Sequence, residues 1–157
     1  MRSEPEVNLA IERYADMVKR LCTVYLKNDA DTEDIFQTVF LKYAVNHVAF
    51  ENDEHEKAWM IRVTINACKD LLKSFFRSHT VSIDELSEQY CQIDSDHSEV
   101  LQAVLALPKK YREVVYLHYY EGYTAVEIAG LLGRNTNTVY THLHKAKQML
   151  RELLEEG

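Results

Sequence analysis

Glycine and proline are scarce, four and two in 157 residues. So few turn-formers cannot punctuate the many short strands of an all-β domain, and an all-α chain is expected. No apolar run approaches the roughly 18 residues of a membrane span. The polar start Met1-Arg2-Ser3-Glu4-Pro5-Glu6 lacks the apolar stretch of a secretory leader, so the expectation is a cytoplasmic protein with no membrane insertion. Cysteine is sparse too. Cys22, Cys68 and Cys91 are odd in number and far apart, which excludes a disulfide framework or a C-x-x-C metal knuckle and leaves reduced thiols, two of them on apolar helix faces. A catalytic constellation is also missing. The best candidates, His118, His142 and His144, form no H-E-x-x-H motif, and on a helix His142 and His144 point about 160° apart. Neither catalysis, nor a metal, nor a cofactor is expected.

Positive charge is absent from the middle of the chain. Residues 79–99 hold no Lys or Arg and 6 acids, residues 1–78 hold 11 basic and 13 acidic groups, and residues 100–157 hold 7 and 6, which together give the net charge of −7. The acidic stretch is rich in serine and poor in apolar residues. It reads as a linker, with a short helical turn near Asp84 to Glu88, between domains at 1–78 and 100–157.

What is present is helical periodicity. Val7, Ile11, Tyr14, Val18, Leu21 and Tyr25 recur at spacings of 3 and 4, the stripe of an amphipathic helix. Asn28-Asp29-Ala30-Asp31 breaks it. Asp31 is the expected cap of a second helix, carrying Ile35, Phe36, Val39, Phe40 and Tyr43 and running to about His47. A third helix passes through Trp59, Ile61, Ile65, Cys68, Leu72 and Phe75, which makes the first domain a three-to-four-helix bundle. After the linker, Val100, Val104 and Leu107 lead to Pro108 and a helix from Lys109 to Tyr120, ending before Gly122. Thr124-Ala125-Val126-Glu127 is a capping box, Gly133 closes the short helix it opens, and Asn135 or Asn137 caps a last helix with the inner stripe Val139, Leu143, Ala146 and Leu150.

A supporting helix, a short helix, a tight turn and a second helix form the pattern of a helix-turn-helix DNA reader. The outer face of the last helix carries Asn137, Tyr140, Thr141, His144, Lys145 and Gln148, side chains able to meet phosphates and base edges. From Arg134 to Arg151 there are four basic residues and no acidic one. On the third helix Arg62, Asn66, Lys69, Lys73 and Arg77 form a second polar, basic face. Phe50 and Trp59 flank its start. They can either stack on exposed bases or pack in the core.

In this order the segments resemble the extracytoplasmic-function (ECF) sigma factors of the sigma-70 family, which keep only domains 2 and 4. DTEDIFQTVF, residues 31 to 40, is similar to the family helix that docks on the clamp helices of the polymerase beta-prime subunit. AWMIRVTINACKDLLKSFFR, residues 58 to 77, is similar to the segment that opens and reads the promoter −10 element. LPKKYREVVYLHYYEGYTAVEIAGLLGRNTNTVYTHLHKAKQMLRELL, residues 107 to 154, resembles the domain that reads the −35 element.

The resemblance implies an alternative sigma factor that directs promoter recognition and DNA opening. Asp34 and Gln37 would dock on polymerase. Asn66 would read the −10 element with Phe50, Trp59, Arg62, Lys69, Lys73 and Arg77. His118, Thr124, Asn137, Thr138, Tyr140, Thr141, His144 and Lys145 would meet the −35 duplex. Implied partners are core polymerase, through the clamp helices and the beta flap, promoter DNA and an anti-sigma factor. Thr38 stands where the family usually has Glu, and Tyr140 and His142 replace common basic residues. A connector of about 20 residues reaches at most ~70 Å, enough to bridge two duplex turns. The competing reading is a free-standing helix-turn-helix regulator, which would call for dimerisation on a palindromic operator; no long heptad seam supports one.

Overall fold

The computed structural model describes residues 1–26, 28–79 and 99–156, the side chains of 76–79 and 156 excepted. Seven α-helices are present among them: α1 (Glu4–Leu26), α2 (Asp29–Val45), α3 (Asp53–His79), α4 (Glu99–Leu105), α5 (Lys109–Val115), α6 (Ala125–Leu132) and α7 (Thr136–Glu156). They divide between two compact units, Met1–Gln92 and Ile93–Gly157. The expected turn at Asp84 to Glu88, and Cys91, lie outside the described residues.

The first unit is a three-helix bundle whose core joins Val18, Leu21 and Tyr25 of α1, Ile35, Val39 and Phe40 of α2, and Met60, Ile61, Ile65 and Leu72 of α3. These positions repeat at the helical period, so each helix buries one stripe and leaves the rest to water. Cys22 and Cys68 are fully buried where α1 meets α3, as free thiols with sulfurs 4.0 Å apart.

Asn28, not Asp31, caps α2. Its extended backbone puts the side-chain oxygen 3.0 Å from the Asp31 N–H, so the helix begins at Asp29 and Asp31 lies within its first turn. At the other end α2 stops at Val45, short of His47, and Arg2 closes it. The Arg2 N–H donates to Ala44 O at 2.8 Å, and its guanidinium donates to Tyr43 O at 3.0 Å and Val48 O at 2.5 Å. A cation on the last carbonyls also suits the negative end of the helix dipole.

In the second unit, Val104, Leu107, Val115 and Ala146 form a core against which Tyr111, Met149 and Leu150 pack. Arg112 is buried and donates to Leu107 O at 3.1 Å, tying α5 to the end of α4. From Tyr116 to Tyr120 the helix widens into a single π turn, closed by Glu121 N–H on Tyr116 O at 3.3 Å. Gly122, at φ +76°, leaves it.

The helix-turn-helix follows. Thr124 Oγ1 accepts from the Glu127 N–H at 3.2 Å while the Glu127 carboxylate accepts from the Thr124 N–H at 3.0 Å, a complete capping box. Gly133 ends α6 in the left-handed conformation, φ +66°. Asn135, of the two expected candidates, caps α7 by accepting from the Asn137 N–H at 2.8 Å.

Candidate nucleic-acid interface

Helix α7 buries Val139, Leu143 and Ala146. Helical geometry therefore sends Asn137, Thr138, Tyr140, Thr141, His144 and Lys145 outward, and all six are exposed. Tyr140 is 57% exposed, unusual for so large a ring. Thr141 Oγ1 donates back to Asn137 O at 3.0 Å.

A groove beside this face is lined by His118, Thr124, Ala125, Tyr140, His144 and Lys147. It gathers side chains from the π turn, the cap of α6 and the length of α7. His118 Nδ1 lies 2.8 Å from Tyr123 O. A carbonyl only accepts, so Nδ1 carries the proton and Nε2 is the acceptor in the neutral ring. Lys147, which sequence reasoning passed over, sits three residues from His144 and seven from Tyr140, a spacing that places it on the same face. Its ammonium lies 5.7 Å from the Tyr119 ring centre.

Two residues of this segment serve elsewhere. Arg134, counted above among the cations of the face, is ion-paired with buried Glu113 of α5. His142 turns inward, edge-on to Tyr111 with ring centres 5.5 Å apart. Burial holds its pKa below the usual imidazole value, and the charges of Arg134 and Lys110 add to the effect.

In the first unit, Arg62, Asn66 and Lys73 are exposed along α3 and Lys69 is half-buried. Arg77 continues the series in the helix backbone, its side chain outside the description. Phe50 and Trp59 join an aromatic cluster at the start of α3. Phe50 is parallel to Tyr43 at 6.3 Å and edge-on to Trp59 at 5.8 Å, with the Arg2 guanidinium 5.1 Å from its ring centre. Both stay half-buried, packed on one side and open on the other. On α2, Asp34 and Gln37 are exposed beside Leu41 (66% exposed) and Val45 (51%). These two apolar neighbours extend the candidate docking face, and their spacing of 4 to 8 residues from Gln37 was there to be read.

Residues 10–77 match the family model for sigma-70 region 2, and residues 97–150 match that for sigma-70 region 4. The Bacillus subtilis RNA polymerase sigma factor SigV is 30% identical over 135 residues, spanning 84% of this chain and 81% of SigV. The chain belongs to the ECF group of sigma-70 RNA polymerase sigma factors. Another such relative, SigW of the same organism, is 27% identical over 163 residues, 93% of this chain and 87% of SigW. Among solved structures, the sigma factor RpoE of Bartonella quintana, crystallised with the anti-sigma factor NepR, shares the fold with a TM-score of 0.71 at 16% identity, covering 96% of this chain and 97% of RpoE. CnrH, solved with the cytosolic domain of CnrY, gives a TM-score of 0.64 at 16% identity, over 98% of this chain and 90% of CnrH.

As an ECF sigma factor the protein directs transcription initiation. The region 2 match over the first unit speaks against a free-standing operator-binding regulator, which has no use for such a domain. Among the described residues no helix is long and apolar enough to cross a membrane, and no group of three or more His, Cys, Asp or Glu is placed to hold a metal.

Proposed function

We propose that the two exposed faces divide promoter recognition between them. In the second unit α7 enters the major groove of the −35 element, with Asn137, Thr138, Tyr140, Thr141, His144 and Lys145 along the duplex and His118 and Thr124 at its backbone. In the first unit Asn66 reads the −10 strand, Phe50 and Trp59 offer ring faces to an extruded base, and Arg62, Lys69, Lys73 and Arg77 meet its phosphates. Unstacking a base costs a few kcal/mol, and stacking on an aromatic ring returns about 1–3 kcal/mol per base. The observation that carries this reading is the exposure of Tyr140, Thr141, His144 and Lys145 on the recognition helix of a region 4 domain.

Asp34 and Gln37 dock on the beta-prime clamp helices, with Leu41 as their apolar neighbour, and the second unit meets the beta flap. The protein works in the cytoplasm without catalytic chemistry of its own. An anti-sigma factor is a further partner, in keeping with the complex in which RpoE was solved. The acidic linker disfavours contact with DNA phosphates away from polymerase.

The test is run-off transcription with core polymerase on a pooled promoter library, with Asp34→Ala as control. Template-selective initiation that needs Asp34 supports the assignment. Specific duplex binding without polymerase, and no initiation, would overturn it.

A further inference from the structure

The ion pair between Glu113 and Arg134 joins two parts of the second unit that are 21 residues apart in sequence. Glu113 is 1% exposed. Taking a carboxylate out of water is costly, and a pair of well-packed apolar residues commonly serves stability as well or better. A buried charge pair is better suited to fixing geometry, because it satisfies its partners in only a few arrangements.

Its location says which geometry. Arg134 is the middle residue of the Gly133-Arg134-Asn135 turn, whose first member is the left-handed end of α6 and whose last caps α7. The Arg134 N–H donates to Ala129 O at 3.0 Å, so the turn is held to α6 by its backbone and to α5 by its guanidinium. On α5, the neighbouring Arg112 is itself fixed on the carbonyls of Leu105 and Leu107. One chain of contacts therefore runs from the end of α4, through consecutive Arg112 and Glu113, to the residue beside the α7 cap.

We propose that Glu113 is a positioning residue for promoter reading: through Arg134 it sets where the N-terminal end of α7 lies against its supporting helix, and hence which −35 bases Asn137, Tyr140 and Thr141 reach. This rests on the reading of α7 as the −35 helix. Glu113 touches no DNA. Its effect is on discrimination between sequences, not on phosphate affinity, because a shift of the helix start misaligns base contacts while leaving cationic side chains near the backbone.

The experiment uses the full chain with core polymerase on a library randomised at both promoter elements, comparing the parent with Glu113→Asp and Arg134→Lys. Glu113→Asp keeps the charge and shortens the reach by one methylene. Arg134→Lys keeps the charge and loses the planar fork. For both variants the enrichment ratio at −35 positions is expected to fall at least fivefold while −10 enrichment stays within twofold of the parent. Cooperative thermal unfolding by circular dichroism shows that the second unit is folded. Should one variant fail to unfold cooperatively, the other carries the comparison, and if both fail the same library is read with Glu113→Gln at reduced temperature. Folded variants that keep the parental −35 preference overturn the proposal and leave the pair a stabilising role. A parent with −10 but no −35 preference overturns the reading of α7 itself, and the positioning role with it.

Discussion

Tyr43 of α2 donates its hydroxyl proton to the Glu56 carboxylate of α3 at 3.0 Å. Tyr14 of α1 donates to the other oxygen at 2.9 Å, so one acid gathers all three helices of the first unit. Burial raises both tyrosine pKa values, and the hydrogen bond to Glu56 and its charge raise them further. The folded state therefore holds these protons above pH 10, where the unfolded chain releases them. Bound protons favour the folded form, so the contribution of these two tyrosines to stability is constant below about pH 10 and falls as pH rises beyond it. Urea titrations followed by Trp59 fluorescence should show this fall, and Tyr43→Phe should flatten it. Glu56→Gln should cost about 1–3 kcal/mol at neutral pH by weakening both acceptors.

The helix-turn-helix depends on two local devices. Thr124→Ala removes half of the capping box and should lower the stability of the second unit by about 1 kcal/mol. At Gly133 no atom outside its immediate neighbours lies within 4 Å of an added Cβ, so Gly133→Ala meets only the penalty of its positive φ, about 1–2 kcal/mol. Thermal unfolding by circular dichroism measures both.

Lys147 shares its groove with His118 and His144. Lys147→Ala should weaken holoenzyme binding similarly across promoter sequences and reduce the slope of log affinity against log salt by about 1. Filter binding at several salt concentrations checks it, with Tyr140→Ala as the sequence-sensitive counterpart.

His142 is disfavoured as a cation in the folded state. An unfolded chain takes up this proton near pH 6.5, so the second unit should be at full stability above that pH and lose some of it as the solution is acidified. His142→Phe should remove that slope while keeping a ring against Tyr111. Hydrogen exchange of α7 amides at pH 5.5 and 8 reads the difference.

Cys22 and Cys68 are sealed between α1 and α3. Both should resist a water-soluble alkylating reagent in the native protein and react at the rate at which the first unit opens. Mass spectrometry of time-quenched samples, with urea-unfolded protein as the reference, gives that rate.

Much of the helix-turn-helix is legible from the sequence because its signals are short-range: the capping box spans four residues, and Gly133 marks its own turn. The amphipathic stripes of α1 to α3 are legible for the same reason. The start of α2 is not, since Asn28 and Asp31 are both good capping residues and only the extended backbone at Asn28 decides between them. Arg134 looks like a DNA-facing cation until Glu113 is found beside it, and no local pattern announces that meeting. Nor does any composition signal mark the half-open packing of Phe50 and Trp59, which depends on Tyr43 and on Arg2 at the far end of the sequence.

The widened turn at Tyr116–Tyr120 acts as a phase shift at the end of one rod. An α-helix advances about 100° per residue, and a π turn admits one residue more than that winding allows, so the side chains within it leave the phase of the helix before it. Up to its second residue, Arg112 to Leu117 form an unbroken buried run; its last three residues turn outward, with His118 lining the groove and Tyr119 and Tyr120 exposed. Deleting one residue there would close the turn to regular α winding and change which side chains its last residues present to the groove, so this stretch should tolerate substitution better than a change in length.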